Sequence, residues 1–138
     1  MMKRKSFLLI LLILSLVMML PGCSENASLQ ELDPAFDEEL LKREAEQVAD
    51  DWNHQNFEAI TCQSDDSIKD NLTPELLKQG YDQISEKIGA FKKIEKTKIV
   101  ARENGQATVT IVAEYEKSKI QHRVTYNTNM KITGYWIR

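Results

Sequence analysis

Residues 103–116 read ENGQATVTIVAEYE. Asn104-Gly105 is the best short signal for a two-residue hairpin turn, because that turn needs positive φ at both central positions. Beyond it, Ala107, Val109, Ile111, Ala113 and Tyr115 alternate with Thr108, Thr110, Glu114 and Glu116, and Val112 falls among the polar set. A period of two with one apolar face describes an antiparallel strand covered on one side. Working outward, Ile94 to Glu103 is the strand before the turn. Lys117 to Lys119 turns the chain again. Ile120, His122, Val124 and Tyr126 then alternate with Gln121, Arg123, Thr125 and Asn127. A polar turn at Asn127–Asn129 leads to a last strand over Lys131–Ile137, in which Trp136 and Ile137 face opposite ways.

Upstream of Gly89 the period is helical. Leu41, Ala45, Val48 and Trp52 form one stripe of a helix starting near Phe36, and its far face carries Glu39, Lys42, Arg43, Glu46 and Asp50. Glu39 with Arg43 and Lys42 with Glu46 stand four apart, at ion-pair spacing. The pattern fades at His54–Asn56. Phe57–Ile60 allows one more apolar turn, and Ser67–Leu72 a short helix. Thr73-Pro74-Glu75 is a helix start: a hydroxyl cap, proline at the first helical position and an acid against the dipole. Leu77, Tyr81, Ile84 and Ile88 repeat along that helix, and Gly89 ends it. Helices followed by an antiparallel meander give an α+β domain, its helices packed on one face of a curved four-stranded sheet.

The first residues set an address. Lys3, Arg4 and Lys5 precede an apolar run from Phe7 to Leu20, which Pro21-Gly22 breaks. This is the layout of a secretory signal, and the run is shorter than the ~20 residues a membrane-crossing helix needs. Leu20-Pro21-Gly22-Cys23 resembles the lipobox of bacterial lipoproteins: Leu20, Gly22 and Cys23 stand at its −3, −1 and +1 positions. Pro21 departs from the residues usual at −2, which bears on the rate of cleavage. The resemblance implies a diacylglycerol thioether on Cys23, removal of residues 1–22 and palmitate-type acylation of the new terminus. It also implies an exported domain on the extracytoplasmic side of the cell membrane. Each buried CH₂ adds ~0.8 kcal/mol, and two chains make attachment durable.

Cleavage at Cys23 leaves 116 residues, 22 fewer than the 138 encoded. The loss of Lys3, Arg4 and Lys5 takes the formal charge from −3 to −6. Residues 23–35 read as the lipidated cysteine and a polar tether, and 36–138 as the folded domain. So acidic a domain is excluded as a nucleic-acid binder. Its net charge also opposes anionic headgroups, leaving the lipid to hold it at the membrane. With Cys23 lipidated, Cys62 has no partner for a disulfide, and with no cationic neighbour it reads as a small buried apolar residue.

The span Phe36–Ile137 resembles the cone-shaped domains of the nuclear-transport-factor-2-like class, and within it the bacterial domain of unknown function 3887. The residues carrying the resemblance are Val48-Ala49-Asp50-Asp51-Trp52-Asn53, Asn56-Phe57-Glu58-Ala59-Ile60, Leu72-Thr73-Pro74-Glu75, Gly89-Ala90-Phe91-Lys92-Lys93-Ile94, Val124-Thr125-Tyr126 and Lys131-Ile132-Thr133-Gly134. In the final turn Asn129-Met130 stands where relatives often have Asp-Gly. The resemblance implies a concave sheet that encloses a pocket, and often a homodimer. Some relatives precede an α/β-hydrolase domain; no Gly-x-Ser-x-Gly elbow occurs in this chain.

Chemistry-bearing motifs are scarce. There is no Cys-x-x-Cys, no His-Glu-x-x-His and no phosphate-binding glycine loop, and the two histidines lack metal-spaced partners, so neither a metal nor a cofactor is expected. His122 is the residue of most interest. Alternation places it on the covered face with Tyr126, and Tyr115 lies on the neighbouring strand, so these three are the candidate pocket. The plainer alternative is a core-edge histidine satisfied by a backbone carbonyl or a helix residue. Trp52 completes a helical stripe and reads as core. Trp136 suits either ordinary packing or a dimer surface. Asp50-Asp51 reads as a solvated helix end and Asp65-Asp66 as a capped turn.

The leading expectation is a lipid-anchored, non-catalytic extracytoplasmic domain that binds a small molecule or a partner protein. Two rivals belong to other classes. One is a cone-fold isomerase or hydrolase with His122 as acid–base residue and Tyr115 or Tyr126 orienting it. The other is a regulator or inhibitor of an envelope enzyme.

Overall fold

The computed structural model describes residues 31–138; the signal segment and Cys23 lie outside the described residues. Helix α1 (Glu38–Asn53) begins where Asp37 accepts a hydrogen bond from Leu40 N at 2.9 Å, with Glu38 and Glu39 against the positive end of the dipole. Its stripe is wider than the sequence pattern showed, because Ala49 joins Leu41, Ala45, Val48 and Trp52 in the interior. The helix ends when Gln55 takes φ 59°. The Asn56 and Gln55 amides then close back onto the carbonyls of Asp51 and Trp52 at 2.8 and 3.1 Å, the Schellman closure usually given to glycine. This closure is why the apolar period fades there.

Three details of α1 differ from the sequence reading. Arg43 approaches Glu44 at 4.0 Å rather than Glu39. Lys42 pairs with Glu38 at 3.0 Å rather than with Glu46, whose carboxylate instead accepts from Thr97 Oγ1 at 2.6 Å. Asp51 is buried, not solvated: it accepts from Gln47 and Asn56 at 3.2 and 3.4 Å and ties the helix end to the following loop.

Helix α2 (Phe57–Cys62) buries Phe57 and Ile60. Cys62 is exposed, contrary to the apolar reading, because it falls on the side of this one-and-a-half-turn helix away from Ile60. The short helix expected over Ser67–Leu72 is only a 3₁₀ turn, Asp66–Ile68, which Asp65 caps through Ser67. Helix α3 (Pro74–Ile88) starts on the Thr73 hydroxyl, which accepts from Leu76 N at 3.3 Å. Gly89 ends it with φ 76° and ψ −163°, an extended positive-φ conformation rather than the left-handed helical one. A Cβ there would lie 2.9 Å from that of Glu116.

Strands β1 (Phe91–Glu103), β2 (Gln106–Tyr115), β3 (Lys119–Asn127) and β4 (Ile132–Ile137) pair antiparallel in chain order. β1 begins three residues earlier than the alternation indicated, because three register shifts along it hide the period of two. The turn between β1 and β2 has positive φ at both Asn104 and Gly105. The β3–β4 turn needs no Asp-Gly: Asn127 Oδ1 accepts from Asn129 N and Lys131 N, and Met130 takes φ 57°. Residues Gln63–Asp65 extend the β4 edge, where Ile132 exchanges backbone hydrogen bonds with Gln63 and Asp65, both 2.8 Å. α1 lies across β1 and β2, and α3 packs on α1 and α2 through Tyr81, whose ring is 4.8 Å from Trp52 and 5.9 Å from Phe57. The core is a single cluster between the helices, α1 foremost, and the inner face of the sheet. The architecture is α+β, with helices on one face of a four-stranded antiparallel sheet.

Candidate functional site

His122 sits mid-way along β3, facing Ile111 on β2 and Ile137 on β4. Its side chain is fully buried. The Trp52 ring meets it edge-on at 5.2 Å, and Tyr135 stacks on it at 6.1 Å with 13° between the planes. Its polar partners are two tyrosine hydroxyls, not a backbone carbonyl or a helix residue. Nε2 lies 3.1 Å from Tyr115 Oη and Nδ1 lies 2.7 Å from Tyr135 Oη.

The direction of these bonds follows from counting protons. The Tyr115 hydroxyl donates to Asn53 Oδ1 at the end of α1. Its single proton is thereby used, so toward His122 it can only accept, and Nε2 carries the imidazole proton. Nδ1 is then the acceptor, and Tyr135 donates to it. The result is a one-way chain: Tyr135 to His122 to Tyr115 to Asn53. Burial pulls the His122 pKa down from 6.5 to about 4, since a charged imidazole would lose its hydration and find no carboxylate beside it. Burial raises both phenols, against the Asn53 bond in the case of Tyr115. The chain is thus neutral from end to end at ordinary pH.

Of the three residues that the sequence grouped, Tyr115 comes onto His122 and Tyr126 does not. Tyr126 is fully buried on the same face, opposite Ala107 and Ile132, and its hydroxyl has no hydrogen-bond partner among the described residues. Burial is the main cause of its raised pKa, with Glu44 adding to it. Tyr135 and Asn53 were not singled out in the sequence. Tyr135 had a signal, being two residues from the inward-facing Ile137; Asn53 had none, because it lies one step past the apolar stripe of α1.

The cavities lie elsewhere, and none of three is lined by His122, Tyr115 or Tyr126. A groove of about 460 Å³ on the outer face of the sheet is lined by Thr108, Arg123, Thr125, Trp136, Ile137 and Arg138. A second, of about 410 Å³, opens between the starts of α2 and α3 beside Asn56, Phe57 and Lys78. A third, of about 230 Å³, passes beneath Trp136 beside Leu72 and Tyr135. Trp136 is 57% exposed, contrary to ordinary packing, and its indole lies over Gly134, where a Cβ would be 2.3 Å from the ring. Among the described residues no group of three or more His, Cys, Asp or Glu side chains could hold a metal ion. No helix among them is long and apolar enough to cross a membrane.

Residues 45–135 match the family model described as Protein of unknown function (DUF3887). No curated protein matches the chain. A solved structure described as the NMR structure of a protein from Ruminococcus gnavus ATCC 29149 superposes with a TM-score of 0.63 at 22% identity, over 78% of this chain and 96% of that one. At that identity the likeness establishes the fold alone.

Proposed function

This chain belongs to the family Protein of unknown function (DUF3887), and we propose that it serves as a lipid-anchored, extracytoplasmic, non-catalytic domain that engages a partner at its surface. One observation carries the non-catalytic part. The best-placed acid–base residue, His122, is fully buried with both ring nitrogens occupied by tyrosine hydroxyls and its pKa held near 4. A general base must reach its substrate and titrate near working pH, and His122 meets neither condition. What remains on offer is surface, chiefly the groove around Trp136, a residue type enriched where proteins meet partners.

The anchor rests on Leu20-Pro21-Gly22-Cys23 and the apolar run before it. Expression in a bacterium with a clickable palmitate analogue tests it. Label and membrane fractionation are expected for the native chain, and both disappear with Cys23→Ala. A native chain recovered unlabelled from the soluble fraction would sink the anchoring reading. Crosslinking from membranes through a photoreactive group at Trp136 tests the surface; the same capture when the group sits on α3 at Leu76 would count against it.

A further inference from the structure

The chain is acidic overall, yet its charge is divided between two sides. α1 carries six acidic residues against two basic ones, all on the helical side. The outer face of the sheet has the opposite sign. Strand register aligns Lys98, Thr110, Arg123 and Trp136 in one row across all four strands. The next row holds Lys96, Val112 and Gln121, with Arg138 hydrogen-bonded to Gln121. Lys93 and Lys119 flank Glu114 beyond that. Two acids within this face, Glu114 and Glu95, lie within 3.8 and 2.8 Å of Lys93 and Lys119, and two more, Glu103 and Glu116, stand at the opposite ends of β1 and β2. Lys96, Lys98 and Arg123 have no carboxylate within ion-pair distance among the described residues.

From this geometry we propose that the partner at the outer face of the sheet is the bilayer rather than a protein: the face docks flat on anionic phospholipid headgroups, with Trp136 seated at the interface. The proposal rests on the anchored reading above, which puts a bilayer within reach. Eight residues lie between Cys23 and Leu32, which packs on the core, and those nine steps of chain extend to at most about 30 Å. A domain held that close meets the headgroups with some face. Net charge would repel it, but the repulsion belongs to the helical side, and turning the sheet inward presents an excess of Lys and Arg instead. An exposed tryptophan among those cations is the side chain that prefers the headgroup level. Gly134 lets its indole lie across the strand rather than stand off it.

The test uses the full chain, purified from bacterial membranes and reconstituted in vesicles whose headgroups carry a nitroxide quencher. Trp52 is buried and Trp136 exposed, so surface quenching reports Trp136. Quenching is expected in vesicles containing phosphatidylglycerol, absent in pure phosphatidylcholine, reversed by salt, and lost in Trp136→Phe. Lys96→Gln, Lys98→Gln and Arg123→Gln are each expected to weaken docking about fivefold. Flotation in pure phosphatidylcholine, where no docking is expected, reads the anchor separately. A chain that floats with Trp136 unquenched overturns the docking and leaves the anchor standing; loss of flotation overturns the anchor. Equal quenching on both vesicle types overturns recognition of anionic lipid. If soluble polyphosphate shields Trp136 from iodide while vesicles leave it unquenched, an anionic polymer replaces lipid as the occupant.

Discussion

Lowering the pH from 7 to 5 will destabilise this domain through one buried side chain. His122 has a folded-state pKa of about 4 against 6.5 when unfolded. Between those values the unfolded chain binds a proton that the folded one refuses, so stability falls as pH falls through that window and levels off below it. At 1.36 kcal/mol per unit the full span is worth about 3 kcal/mol, of which about 2 kcal/mol is lost between pH 7 and 5. The geometry explains the refusal. A protonated ring would donate from both nitrogens, so Tyr135 would have to turn its own proton away from Nδ1, and no carboxylate stands by to offset the charge. Glu38, Asp65 and Glu95 are held below ordinary carboxylate values by Lys42, Ser67 and Lys119 respectively. They lose stability in the same direction, but only as pH falls below about 4.5, which keeps the window above 5 for His122. Urea denaturation at half-unit pH steps measures the slope, and His122→Asn should flatten it whatever it does to absolute stability. An unchanged slope in that variant, or a His122 ring proton titrating near pH 6.5 by NMR, would refute the buried neutral imidazole.

Two comparisons test the rest of the interior. Tyr135→Phe leaves Nδ1 of His122 a buried acceptor without its donor and should cost about 1–3 kcal/mol in urea unfolding, whereas Tyr126→Phe removes a hydroxyl that has no partner and should be neutral or stabilising. Equal losses for the two would count against the hydrogen-bond chain. Gln55→Gly relieves a left-handed residue at an exposed helix end and should stabilise by about 0.5–1 kcal/mol; a loss of stability there would mean that the Schellman closure is not what ends α1.

The interior and the outer face of the sheet suggest a division of labour. His122, Tyr115, Tyr135 and the side-chain oxygen of Asn53 are hydrogen-bonded to one another, which fixes α1 over β2, β3 and β4 in one orientation. That rigid inner face leaves the outer face free to carry charge and Trp136 without altering the core.

What the sequence alone determined follows from short-range physics. Thr73-Pro74-Glu75 starts a helix because cap, proline and dipole act within one turn. Asn104-Gly105 makes the hairpin because the required φ is local, and the strict alternation of β2 and β3 put His122 and Tyr115 on the inner face. The reading faltered where packing and pairing, rather than the apolar period, decide the outcome. β1 is longer than its pattern because bulges against β2 break the period. Asp51 is buried because Gln47 and Asn56 satisfy it. Cys62 is exposed because a helix of six residues turns it outward. The His122 chain needed Asn53 and Tyr135, brought together by packing α1 on a sheet whose strands are set side by side, and no spacing in the sequence encodes that meeting. Likewise the basic outer face is invisible in a net charge of −3, because a sum over residues has no sides; only strand register sorts Lys96, Lys98 and Arg123 away from the acids of α1.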